Sequence, residues 1–184
     1  MTDSTSSYRD HETAAEAHAD AQSIAVAVLT ISDSRTTAND RSGDAIVERI
    51  ERAGHRVAAR ELVPDDADHI TTIIERWCDD PTIRAILTTG GTGIAPRDTT
   101  VEVVRRHLIA ELDGFGELFR MLSFEEIGAA AMMSRAVAGI AHRDAVGSTV
   151  IAAMPGSTNA VCLAMDRLLV PQLPHLIWER ARQS

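Results

Sequence analysis

The residues best suited to chemistry cluster in one stretch of this 184-residue chain, Thr88-Thr89-Gly90-Gly91-Thr92-Gly93-Ile94-Ala95-Pro96-Arg97-Asp98-Thr99-Thr100. Glycines between a strand and a helix expose backbone N–H groups that side chains would otherwise cover, and such groups bind phosphate. The amides of Gly90, Gly91 and Gly93 are therefore expected to hold phosphate without a cation, with Thr89 and Thr92 beside them. Thr99-Thr100-Val101-Glu102 fits a capping box, in which Thr99 accepts from a helix amide and Glu102 reaches back. A glycine turn serving chain geometry alone would leave the threonines and the Arg97-Asp98 pair unexplained. Three further polar clusters stand at the ends of apolar runs: Ser32-Asp33, Pro64-Asp65 and Pro155 to Asn159.

Familiar phosphate and nucleophile templates do not fit. A Walker A loop needs a lysine, and this chain has none. The dinucleotide fingerprint matches at Gly91 and Gly93, but its third glycine position is Pro96, and helix is expected where an acidic strand end should follow. Ser32, Ser34 and Ser157 lack the nucleophile-elbow pattern. Cys78 and Cys162 are far apart and read as small buried hydrophobes, and the seven histidines show no metal-ligand spacing. Glu125-Glu126 are adjacent on an expected helix and so do not share a face, which favours a solvated or interface role over acid/base work.

The elements that must position these clusters alternate. Ile24 to Ile31 is a continuous apolar run, as in a strand covered on both faces. A helix opens at Asp40 or Ser42, buries Gly43, Ile46, Val47, Ile50 and Ala53, and ends at Gly54. His55 to Val63 reads as a strand; Ala67, Ile70, Ile74, Trp77 and Cys78 mark a helix; Ile83 to Leu87 is the strand feeding the glycine loop. The helix Thr100 to Leu108 follows, then residues 113–134 as one or two helices broken near Gly128. Val137 to Ala141 and Ser148 to Met154 are expected as strands around a turn at His142-Arg143-Asp144. A helix through Val161, Ala164, Leu168 and Leu169 should stop at Pro171, and a short one near Leu176 to Arg180 should close the chain. The pattern implies a three-layer α/β/α fold with a mostly parallel, mixed sheet. In such sheets ligands bind beyond the carboxyl ends of the strands, where all four polar clusters would meet in one crevice.

Composition narrows the function. The formal charge is −9 and all 18 basic residues are arginine, which disfavours nucleic-acid binding. Aromatics are only 3%, leaving few stacking platforms for single strands. No apolar run approaches the roughly 18 residues of a membrane span, and no signal-peptide core opens the chain, so a cytoplasmic protein is expected. Residues 1–22 read as a flexible, polar N-terminal arm and 23–184 as one domain. The acidic, lysine-free surface suggests a high-salt cytoplasm, although a GC-rich genome also favours arginine.

Taken together, Thr88-Thr89-Gly90-Gly91-Thr92-Gly93 with Arg97-Asp98, Ile31-Ser32-Asp33, Pro64-Asp65 and Met154-Pro155-Gly156-Ser157 resemble the molybdenum-cofactor biosynthesis MoaB/Mog family. Gly114 to Arg120, Glu125 to Gly128 and Ser134 to Gly139 are similar to its MoaB branch, as is Ser157-Thr158-Asn159-Ala160 after Pro155-Gly156. The resemblance spans about residues 24–170 and implies a molybdopterin-binding α/β domain assembling as a trimer or hexamer. It implies molybdopterin adenylyltransferase activity: molybdopterin and ATP, with Mg²⁺, give adenylyl-molybdopterin and pyrophosphate, and a downstream molybdate-insertion protein receives the product. Asp98 is implied as the catalytic aspartate, acting through Mg²⁺, and Asp65 as the second family acid. Gly156 and Ser157 would donate to the pterin or its phosphate, and Ser32 and Asp33 would sit at the nucleotide end. Arg97 would contact phosphate or pair with a carboxylate at an oligomer interface. A non-catalytic molybdopterin carrier is the alternative within the same pathway, and a nucleotide-binding regulatory module a more distant one.

Overall fold

A computed structural model describes residues 23–143 and 147–181; the expected arm over 1–22 lies outside them. Six strands form one mixed sheet: β1 (Ala25–Ile31), β2 (Arg56–Val63), β3 (Ala85–Thr89), β4 (Leu108–Glu111), β5 (Val137–Arg143) and β6 (Gly147–Met154), in the spatial order β2-β1-β3-β6-β5-β4. β2, β1, β3 and β6 run parallel, β5 runs antiparallel to β6, and β4 antiparallel to β5.

Helices cover both faces, as the unbroken apolar runs of β1 and β3 require. Val26, Val28, Leu87, Ala152 and Met154 pack on one side with Ile46 and Ile50 of α1 (Arg41–Arg52) and Phe115 and Phe119 of α4 (Asp113–Ile127). Val161 and Ala164 of α5 (Thr158–Ala164) and Leu173 of α6 (Val170–Ala181) complete that layer. On the other side Ala27, Leu29, Ile86 and Ile151 meet Ile70, Ile74 and Trp77 of α2 (Ala67–Asp79) and Val101 and Val104 of α3 (Thr100–His107). The three-layer expectation is met, and Trp77 is core. α1 ends as expected, with Gly54 at φ +80° just past its last turn.

Four secondary-structure expectations are corrected. Leu108, expected as the helix end, and the unassigned residues Ile109, Ala110 and Glu111 form the edge strand β4. Its outward residues carry no strand pattern, and pairing with β5 alone makes it one. His142 and Arg143 continue β5 instead of forming the turn; the connection, 144–146, lies outside the described residues. Pro171 does not stop the C-terminal helix. A π turn at Met165–Leu169, with the Val170 N–H on Met165 O, shifts the hydrogen-bond register just before Pro171, and the helix continues through Pro171 and Pro174. The whole helix Thr158–Glu179 is long and apolar enough to cross a membrane by length and composition, but its Val161, Ala164, Met165, Leu169 and Leu173 are built into the sheet's core. The fourth correction, at Thr99, belongs to the site.

Candidate functional site

Register brings the four polar clusters together. Ile31 lies opposite Val63, Thr30 opposite Thr89, and Thr89 opposite Met154, so the loops leaving β1, β2, β3 and β6 share one edge. α1, which follows β1, and α3, which follows β3, pack on opposite faces, and this places the topological switch between β1 and β3. A crevice of about 380 Å³ opens there, lined by Ser32, Ser34, Arg35, Gly90 to Gly93, Asp98, Ser134 and Gly156.

The glycines divide into two roles. Gly90 (φ +101°) needs its missing side chain, since a Cβ would lie 2.0 Å from Ile31 O. Its N–H donates to Met154 O at 3.1 Å, so the expectation that this amide holds phosphate is corrected: Gly90 extends the sheet edge. Gly91 (φ +61°) likewise has no room for a Cβ, with Thr100 Oγ1 at 2.2 Å and Asp65 Oδ2 at 2.6 Å from that position. The N–H groups of Gly91 and Gly93 have no partner among the described residues, and both residues line the crevice. These two amides are the available part of the cradle.

Thr89 is fully buried, and its hydroxyl donates to Pro155 O at 3.0 Å, tying the β3 and β6 loops together instead of facing a ligand. Thr92 is 4% exposed and lines the crevice. Gly156 packs onto the Gly90 backbone, and Ser157 caps α5, its Oγ accepting from the Ala160 N–H. Ser32 lines the crevice and accepts the N–H groups of Ser34 and Arg35 at 3.3 and 3.2 Å. Asp33 acts as a staple outside the crevice lining: Oδ1 accepts the Asp65 N–H at 3.0 Å and Oδ2 pairs with Arg97 at 3.1 Å. Arg97 therefore has its carboxylate partner within its own chain, and at 75% exposure the pair adds little stability.

The two aspartates differ in setting. Asp98 lines the crevice, and its Oδ2 accepts the Ala95 N–H at 2.7 Å, folding the carboxylate back across Gly93. Asp65 lies behind the glycine loop. Its Oδ1 accepts both the N–H and the hydroxyl of Thr99, at 3.4 and 3.2 Å, so Asp65 caps α3 from another loop. The capping box fails for that reason: Thr99 makes no cap bond through its own side chain, and Glu102 turns to Arg135. Burial pushes the Asp65 carboxyl above the usual aspartate range; Thr99 opposes this, and the charges of Asp98 and Asp33 add to it. Among the described residues no three ligating side chains converge as a metal site.

Two arginines that the sequence reading left without a role hold the site. Arg135 donates to Thr92 O (3.3 Å) and Asp98 O (2.7 Å) and pairs with Glu102, thereby clamping both ends of the 92–98 loop. Arg35 donates to Ser42 Oγ and, at 2.7 Å, to Gly156 O. Behind it Asp40, 1% exposed, accepts from Thr30, Gly43 N–H and Arg60. Burial would raise the Asp40 carboxyl, but those bonds outweigh it and hold it below the usual range. Only the position of Arg35 after the Ser-Asp-Ser cluster hinted at its place; Arg135 lies 43 residues from Thr92 and had no local signal.

Comparison with known proteins follows the same outline. A family model described as "Probable molybdopterin binding domain" matches residues 27–175. Molybdenum cofactor biosynthesis protein B of Bacillus subtilis (strain 168) is 47% identical over 153 residues, covering 83% of this chain and 87% of that protein. The protein of the same name from Halalkalibacterium halodurans is 48% identical over 153 residues, with the same coverages of 83% and 87%. Among solved structures, a molybdenum cofactor biosynthesis protein B superposes with a TM-score of 0.83 at 42% identity, covering 88% of this chain and 98% of that one. The tungsten cofactor synthesizing protein MoaB from Pyrococcus furiosus gives 0.77 at 31% identity, over 86% and 98%.

Proposed function

The chain belongs to the MoCF_biosynth family of molybdopterin-binding domains, and from that premise we propose that it acts in cytoplasmic molybdenum cofactor biosynthesis as a molybdopterin adenylyltransferase. The observation that carries the reading is the crevice at the β1/β3 switch, lined together by Gly91, Gly93 and Asp98, with the two glycine amides unpartnered among the described residues. In the proposed reaction an oxygen of the molybdopterin phosphate attacks the α-phosphorus of ATP, and the bond to pyrophosphate breaks. The nucleophile is the substrate's own phosphate, so no activated serine or cysteine is needed. The protein's part is alignment of two anions and stabilisation of charge. Gly91 and Gly93 would donate to phosphate oxygens without reorganising. Asp98 would hold Mg²⁺ arriving on the nucleotide phosphates, an ion suited to one or two carboxylates plus phosphate oxygens and supplying charge neutralisation there. Asp65 keeps the start of α3, and with it Asp98, against the glycine loop.

We further propose that the chain acts as a homo-oligomer. Leu118, Met121, Phe124 and Ile127 recur at every third residue of α4 on its exposed side, and Met132 and Met133 extend the patch to the crevice rim. A second copy is the occupant consistent with this apolar face, and the adenylylated product would pass to a metal-inserting partner.

Purified protein incubated with molybdopterin, ATP and Mg²⁺ at high salt should form adenylyl-molybdopterin. Asp98→Asn should lower the rate by roughly 100-fold or more with an unchanged melting temperature, since the carboxylate faces a crevice and not the core. If wild type binds molybdopterin but yields no product, the carrier reading replaces the enzyme. One feature favours that second reading: Asp98 Oδ2 is already engaged by the Ala95 N–H.

A further inference from the structure

We propose that Arg35, and not Arg97, is the cation that receives the phosphomonoester end of the substrate; this rests on the crevice being the substrate site assigned above. Among the described residues lining the crevice, Arg35 is the one basic side chain. Arg97 is tied to Asp33 and lies outside that lining.

Arg35 is held before any ligand arrives. Its backbone N–H is fixed on Ser32 Oγ at 3.2 Å, and its guanidinium bonds Ser42 Oγ and Gly156 O. Ser42 is fully buried and donates in turn to Asp40 Oδ1 at 3.3 Å. The β1 loop, the start of α1 and the β6 loop therefore all position one side chain. Its positive charge is only partly offset by this anchoring: Arg35 forms a long ion pair with Asp40 Oδ1 at 3.8 Å, while Asp40 pairs more closely, at 2.8 Å, with Arg60, which Asp44 also holds.

A guanidinium carries five N–H donors in a rigid fork. The contacts above use two, and the side chain remains 26% exposed where it borders the crevice. With the unpartnered amides of Gly91 and Gly93 in the same lining, the donor set suits a tetrahedral dianion. A phosphate seated there lies on the β1/β6 side of the glycine loop, with Asp98 on the same crevice wall as the loop's exit. Arg35 thus selects for a phosphorylated over a dephosphorylated substrate and sets which phosphate oxygen faces the second reactant.

The test uses inorganic phosphate as probe, a tetrahedral anion like the phosphomonoester end, titrated calorimetrically into the full chain. Arg35→Gln should weaken binding about 10- to 100-fold, the scale of a lost charge-assisted hydrogen bond, with Arg35→Lys between it and wild type. Arg52→Gln, an exposed charge control on α1, should stay within about twofold. Melting temperatures establish that each variant is folded. Unchanged affinity in folded Arg35→Gln, no phosphate binding by wild type, or loss confined to Arg97→Gln would each overturn the assignment. The adenylylation assay is scored separately: Arg35-dependent binding without turnover leaves this inference standing and removes only the enzyme reading. Turnover with an unchanged KM for molybdopterin in Arg35→Gln removes only this inference.

Discussion

At the level of single residues, the site contrasts an aspartate on the crevice wall with one wedged behind it. Asp65 is more easily protonated in the folded protein than in the unfolded chain, because burial and the neighbouring Asp98 and Asp33 charges disfavour its ionised form. The folded state then binds more protons across the window from the ordinary carboxylate pKa up through the raised value, so stability falls as pH rises through that window. Asp65→Asn retains an acceptor for Thr99 without the charge. Its melting temperature should exceed that of wild type at pH 7, and the difference should shrink toward zero below about pH 4. A constant difference across this range, in thermal melts at several pH values, would remove the electrostatic account.

At the level of elements, the glycine loop is shaped by contacts from outside itself. Ile31 O sets the need for Gly90, Asp65 caps α3, and Arg135 pulls the Thr92 and Asp98 carbonyls together. Burial would raise the Glu102 carboxyl, but its own backbone N–H and Arg135 hold it below the usual range. Arg135→Ala releases both carbonyls and leaves Glu102 without this partner. It should cost about 1–2 kcal/mol, seen as a fall of roughly 3–6 °C in Tm. Hydrogen exchange should accelerate over residues 92–98 and change little in β1; equal acceleration in both would mean general loosening. The strand edge and the clamp thus act on the same ten-residue loop from opposite sides.

For the whole molecule, two surface properties await measurement. The net charge of −9 with no lysine predicts a protein whose stability depends on salt, because screening relieves repulsion among carboxylates. Melting temperature should rise steadily from low to molar KCl; a flat response would assign the arginine bias to genome composition. The apolar stripe on α4 predicts self-association. Sedimentation should give a trimer or larger for wild type, and Phe124→Glu should lower that mass while leaving the monomer's melting largely intact. A monomeric wild type at micromolar concentration would sink the proposal.

Apart from β4, the order of strands and helices was legible in the sequence, as were the two-faced burial of β1 and β3 and the gathering of four loops at one edge. Apolar runs, helical spacing and strand-end polar residues are local signals, and the parallel topology follows from their alternation. The Gly-Gly-Thr-Gly loop and Asp98 were legible for the same reason. What only tertiary structure decided was which groups of that loop remain available. Gly90 N–H goes to Met154 O, Thr89 to Pro155 O and Thr99 to Asp65. Edge strand β4, Arg35 and Arg135 were equally out of reach, since their partners lie tens of residues away in the chain. A hydrogen bond depends on proximity in space, whereas local spacing reports only neighbours along the chain. The glycine loop could therefore be located from its residue types, but which of its groups stay free of internal partners, the Gly91 and Gly93 amides beside Arg35, emerged only once the loops were packed together.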